Sequence, residues 1–157
     1  MRRYFPRLLL ALAVLAAPSA TARTGHPVPY KGQFEFSTVV ARPVSETVLY
    51  VRGSLAGNET LLGRMTGEVE YLVDLTTFGF EGTLTKAAAN GDLVDQSLSG
   101  QFTPTGSVGE FTITGGTGRF QGATGGGTFV GVWTDPDLIT AHITFEGSLS
   151  FAKGNGR

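Results

Sequence analysis

The sequence predicts an all-β protein, an eight-stranded antiparallel up-and-down β-barrel, and three observations predict it. Strand-like runs of alternating apolar and polar residues recur at intervals of roughly 12 residues with short turns between them, the pattern of an antiparallel meander. No stretch beyond the N-terminal segment carries a helical period. Glycine reaches 23 of 157 residues while charged residues are only 16%, against about 25% charge and about 7% glycine in ordinary globular domains. That composition suits pleated strands joined by tight turns. Closure removes the edges that an open sheet exposes, and eight strands enclose an interior filled by side chains or holding one small ligand. A two-sheet β-sandwich is the alternative architecture; glycines spaced along single strands favour the coiled wall of a barrel.

Taken in order, residues 1–22 read as a secretory signal. Arg2, Arg3 and Arg7 precede an apolar run at residues 8–17, and Ala20-Thr21-Ala22 supplies a small-residue cleavage site. The run is far shorter than the ~20 residues needed to span a bilayer; the competing reading is a retained membrane anchor. Cleavage after Ala22 predicts a secreted or periplasmic chain with no membrane span. Of 12 basic and 13 acidic residues, loss of those three arginines leaves nine basic residues. No basic run survives, which argues against nucleic acid as a partner. The chain has no cysteine, so the exported fold rests on its core and ladders alone. Residues 23–29, with His26, Pro27 and Pro29, read as a flexible tail, residues 30–152 as one barrel domain, and residues 153–157 as a C-terminal tail.

The first strand places Tyr30, Phe34, Phe36, Thr38 and Val40 on one face and Lys31, Gln33, Glu35 and Ser37 on the other, and Arg42-Pro43 breaks it. The second, residues 47–55, sets Val48, Tyr50 and Arg52 against Leu49, Val51 and Leu55, apolar on both faces. In the third, Met65, Gly67, Val69, Tyr71, Val73 and Leu75 share a face; in the fourth, Phe78, Phe80, Gly82 and Leu84 do. Asn90-Gly91 signals a hairpin in which both residues accept positive φ. Val94, Gln96, Leu98, Gly100 and Phe102 form the fifth inward face, ended by Pro104 to Gly106. After the sixth strand, Gly127, Phe129, Gly131 and Trp133 face inward on the seventh. Asp135-Pro136-Asp137 then turns into Ile139, Ala141, Ile143, Phe145, Gly147, Leu149 and Phe151.

The glycine-dense run ITGGTGRFQGATGGGTF at residues 113–129 predicts a left-handed turn around Gly115, Gly116 and Gly118, followed by bulging or sharp coiling. It resembles the turn and penultimate strand of secreted β-barrel domains of the allene oxide cyclase and dirigent type, in which a GGTG(R/K)F turn recurs. GNETLLGRMTGEVEY at residues 57–71, with AANGD at residues 88–92, is similar to bacterial secreted proteins that share this turn. Many of those read GNATHLGR; Leu61 stands here in place of their histidine, and any role of that histidine is absent. The resemblance covers the mature chain in strand order. It implies a barrel and, on the allene oxide cyclase side, an apolar cavity that folds a reactive lipid with little acid–base work.

Few residues carry recognisable chemistry. GTGRFQG meets neither the dinucleotide nor the phosphate-loop pattern, and no cofactor is expected. No serine sits in GxSxG, and the one histidine inside the fold, His142, falls on the polar face. Two histidines without cysteine leave no transition-metal site. Asp135 and Asp137 could clip calcium, but Asp-Pro-Asp is ordinary turn chemistry. Asn58-Glu59-Thr60 reads as a polar turn or a glycosylation acceptor. Tyr50, Arg52, Tyr71 and Trp133 are the large polar-tipped side chains able to project into a barrel and touch a ligand. Arg119, directly after the glycine turn, either staples that turn to a neighbouring strand or binds a ligand carboxylate.

Two functions survive this reading. The first is a secreted non-catalytic barrel that binds a small apolar molecule or a surface partner, with a second copy of the chain among the partners left open. The second is an allene oxide cyclase-like isomerase or cyclase acting on an apolar substrate. A cavity separates them, because an interior packed solid by Phe34, Phe36, Phe80, Phe102, Phe129 and Phe145 cannot house a cyclase. With eleven phenylalanines in the chain, the non-catalytic reading is preferred.

Overall fold

A computed structural model describes residues 25–154; the expected signal segment and its cleavage site lie outside the described residues. The strands are β1 (Val28–Pro43), β2 (Val48–Glu59), β3 (Gly63–Asp74), β4 (Gly79–Ala88), β5 (Leu93–Thr103), β6 (Gly106–Gly116), β7 (Thr124–Trp133) and β8 (Thr140–Ser150). A 3-10 turn, Gly118–Phe120, follows β6. Each strand pairs antiparallel with the next and β8 pairs back to β1, so the sheet is a closed barrel in sequence order. Among the described residues no helix is long and apolar enough to cross a membrane.

The inward faces follow the alternation of the sequence. Tyr30, Phe34 and Phe36 on β1, Met65, Val69 and Val73 on β3, Phe111 and Ile113 on β6, and Ala141, Ile143, Phe145 and Leu149 on β8 are buried together. β2 resolves its ambiguity by turning Val51 and Leu55 inward, which leaves Tyr50 and Arg52 on the outer face.

Several expectations fail at the turns, each for a local reason. β1 begins at Val28 and continues through Arg42-Pro43; Pro43 is the last residue of the strand, where a missing N–H costs the ladder little. The β1–β2 register slips between Thr38 and Val40, leaving Val39 unpaired and exposed and setting Val40, expected inside, opposite the outward-facing Arg52. Leu75 and Phe78, expected inside, are exposed. The Asp74 carboxylate accepts from the Thr76 and Thr77 amides, and the Phe78 amide donates to the Asp74 carbonyl. This loop holds Phe78 at φ 58° and delays β4 until Gly79. Ile139 is likewise exposed, because the Asp135 carboxylate gathers the amides of Asp137, Ile139 and Thr140 and keeps the chain in a turn with Leu138 at φ 58°. At the Asn90-Gly91 hairpin only Gly91 is left-handed (φ 88°). Its amide donates to the Ala88 carbonyl and the Ala88 amide to the Asp92 carbonyl, a three-residue loop in place of a two-residue one.

The two ends of the barrel differ. At one, the Gly118–Phe120 turn folds across the opening: Leu62, Phe120 and Ala123 are buried, and Phe120 stacks on Phe151 with ring centroids 5.8 Å apart. Near this turn the β5–β6 register slips by one residue on the β6 side, between Ile113 and Gly115; the slip precedes the turn, whereas bulging or coiling is expected after it, where β7 pairs with β6 and β8 without a slip. At the other end, formed by turns 44–47, 75–78, 104–105 and 134–139, Tyr71, Phe102, Phe129 and Trp133 are only partly buried. That end is the mouth.

Candidate functional site

The strands converge on an axial cavity of about 80 Å³ running from the mouth toward the plugged end. Near the mouth its wall is aromatic, with Phe80 and Phe102 4.6 Å apart, Tyr71 5.5 Å from Phe80, and Trp133 stacked on Phe102 at 5.6 Å. Phe34, Leu84, Leu98, Ile143 and Phe145 continue the wall inward. The interior is therefore neither solid nor wide.

The inner end of the cavity is polar. Lys86 and Gln96 line it, and behind them stand Glu59 and Tyr30. The Tyr30 hydroxyl donates to Glu59 Oε1 at 2.8 Å, and Lys86 Nζ donates to Glu59 Oε2 at 2.9 Å. The same hydroxyl oxygen accepts from Gln96 Nε2 at 3.0 Å and from Lys86 Nζ at 3.4 Å. Because the hydroxyl proton goes to the carboxylate, Gln96 must present its NH₂ here, which fixes its amide orientation. Lys86 Nζ also lies 3.8 Å from the Phe145 ring centroid, a cation–π contact. The Lys86 and Glu59 side chains are 1% and 0% exposed.

These environments move the titrations. Burial pushes the Lys86 ammonium below its ordinary value, against the opposing pull of Glu59. Burial, reinforced by the Glu59 charge and hydrogen bond, pushes the Tyr30 hydroxyl up. Burial alone raises Tyr71.

The structure divides the residues singled out in the sequence. Tyr71 and Trp133 line the cavity. Tyr50 and Arg52 do not: Tyr50 lies on the outer wall under the Arg42 guanidinium, 4.7 Å from its ring centroid, and Arg52 is exposed opposite Glu70. Arg119 staples the plug, donating to the Leu61 carbonyl, approaching Asp92 at 3.9 Å and covering the Phe120 ring. His26 is exposed, and His142 pairs with Glu35 on the outer surface. Glu59, read as part of a polar turn, is instead buried in the core. The reason is register, since Glu59 continues the inward face of Leu55 and Gly57 while Asn58 and Thr60 point out. Lys86 was missed although the signal was present: it falls in phase with Leu84 and Ala88, on the inward face.

A closed up-and-down eight-stranded barrel, plugged at one end and hollow along its axis, is the class of protein this geometry defines. Among solved structures the chain is similar to the pterocarpan synthase dirigent protein GePTS1, with a TM-score of 0.56 and 15% identity over 84% of this chain and 88% of that one. It is similar also to the pterocarpan synthase dirigent protein PsPTS1, with a TM-score of 0.57 and 14% identity over 84% of this chain and 99% of that one. The fold is thus a dirigent-type barrel, as the glycine turn led us to expect. The sequence matches no family model and no curated protein sequence.

Proposed function

We propose that the protein is an exported, non-catalytic barrel that binds a small apolar molecule in its axial cavity, with the mature chain beginning at Arg23. The observation that carries this reading is the cavity itself, whose aromatic and aliphatic wall offers a guest dispersion contacts everywhere short of its polar inner end. Its volume of about 80 Å³ is well below the roughly 300–1,000 Å³ of drug-sized pockets. A short aliphatic or single-ring guest enters with rotation of the half-buried Phe102 and Trp133 rings at the mouth. A lipid chain long enough to be cyclised does not fit, which favours binding over the cyclase alternative.

Titration with toluene, followed through the methyl resonances of Leu84, Leu98 and Ile143, tests the reading. Saturable shifts are expected in the parent protein and their loss in Leu98→Trp, whose indole fills the cavity. A folded parent protein whose methyl signals do not respond overturns it. Export is tested separately by N-terminal sequencing of secreted material, which should begin at Arg23; an intact Met1 in a membrane fraction overturns that part.

A further inference from the structure

The chain has three lysines. Lys31 and Lys153 are exposed, and Lys86 is buried at the inner end of the apolar cavity. As a stability device the Lys86–Glu59 pair is a poor choice, because desolvating two charges offsets much of their attraction and an apolar pair of similar volume serves as well or better. An amine at the end of a hollow apolar channel, beside a carboxylate and a phenol, is instead the arrangement that makes lysine a nucleophile toward carbonyl compounds.

We infer that Lys86 captures small apolar aldehydes and ketones covalently, as an iminium at the cavity floor. This rests on the proposed admission of small apolar molecules to the cavity. Glu59 Oε2, 2.9 Å from Nζ, takes one ammonium proton and frees the nitrogen lone pair. That pair attacks the carbonyl carbon, the C=O π electrons move to oxygen, and Glu59 returns its proton to that oxygen. Glu59 then removes a second proton from nitrogen, leaving a neutral carbinolamine. Delivering this proton to the hydroxyl breaks the C–O bond, releases water, and lets nitrogen form the C=N bond. The balance is one ammonium and one carbonyl giving one iminium and one water, with no change of oxidation state.

The surroundings suit each stage. Tyr30 and Gln96 hold the carboxylate and phenol in place through bonds of 2.8 and 3.0 Å. Burial makes the Lys86 ammonium easier to deprotonate than a lysine in water, against the opposing pull of Glu59. The iminium carries the same single positive charge as the ammonium it replaces, so it keeps its Glu59 counter-ion and its seat 3.8 Å from the Phe145 ring centroid. The product thus leaves no buried charge unpaired.

The test incubates the purified protein with benzaldehyde and cyanoborohydride and maps the reduced adduct among the three lysines by peptide mass spectrometry. Adduct at Lys86 is expected in at least about tenfold excess over Lys31 and Lys153, because desolvation activates only the buried amine. Pyridoxal phosphate, too polar for the cavity, should label Lys31 and Lys153 and spare Lys86. The double variant Lys86→Met/Glu59→Gln, which removes both charges together, should lose only the benzaldehyde adduct. If toluene shifts the cavity methyl signals while benzaldehyde leaves Lys86 unmodified, the inference is overturned and the binding function stands. If neither molecule enters, both fall.

Discussion

Gly118 sits in the left-handed region at φ 57°, and a Cβ there would collide with the Asp92 carboxylate. Left-handed backbone alone costs an L-residue about 1–2 kcal/mol, and displacing Asp92 also disturbs its approach to Arg119. Gly118→Val should therefore lower the melting temperature far more than Thr124→Val, where an exposed strand threonine tolerates β-branching. Equal losses in thermal melts would show that the turn is not conformationally special. The second residue-scale prediction concerns the buried pair. Lys86→Met alone strands a carboxylate in the core and should cost about 3–5 kcal/mol, whereas the double variant Lys86→Met/Glu59→Leu should recover most of that loss. A denaturant-based double-mutant cycle reads the coupling; additive losses would contradict it.

At the scale of the strand, β8 fixes which face is core. Phe145 is buried against Tyr30 and Phe111, with ring centroids 5.1 and 5.7 Å away. Its neighbour Thr144 is exposed, and the His142 side chain is 38% exposed. Phe145→Ala should cost ~3–5 kcal/mol through lost transfer energy and a cavity. Thr144→Ala and His142→Ala should stay within about 1 kcal/mol, the ordinary worth of an exposed pair. A one-residue slip would exchange the two sets, so denaturant melts of the three variants check the register directly.

At the scale of the whole molecule, the folded barrel resists alkaline titration and then fails by it. Tyr30 and Tyr71 both start from a value of 10.0 and are pushed up by burial. Each contributes stability that is complete below pH 10 and is lost as pH rises, because the unfolded chain gives up phenol protons that the fold retains. Lys86, lowered from 10.5, acts in the opposite sense, since in that window the unfolded chain binds more protons; above its unfolded value its contribution no longer changes. Stability should accordingly fall steadily above about pH 10.5. Phenolate absorbance from Tyr30 and Tyr71 should appear only together with loss of the near-UV circular dichroism signal. Phenolate formation with the tertiary signal intact would contradict the burial of these hydroxyls.

Much of the barrel was legible in the chain, because side-chain direction in a strand alternates with a period of two and each apolar run announces its own face. The inward placement of Phe34, Phe80 and Phe145 follows from that local rule, and the left-handed Gly118 from glycine's freedom to take positive φ. Where the rule is locally ambiguous it gives no answer: β2 is apolar on both faces, and only its pairing with β1 and β3 decides that Val51 points in and Tyr50 and Arg52 out. Leu75, Phe78 and Ile139 went astray because carboxylates at Asp74 and Asp135 hold the backbone in turns that an alternation pattern does not register. The polar floor lies beyond the reach of sequence for a different reason. Tyr30, Glu59, Lys86 and Gln96 come from β1, β2, β4 and β5, up to 66 positions apart. Alternation puts each of them on the inward face, but only closure of the sheet brings them within hydrogen-bonding distance, and only that proximity makes a buried charge tolerable.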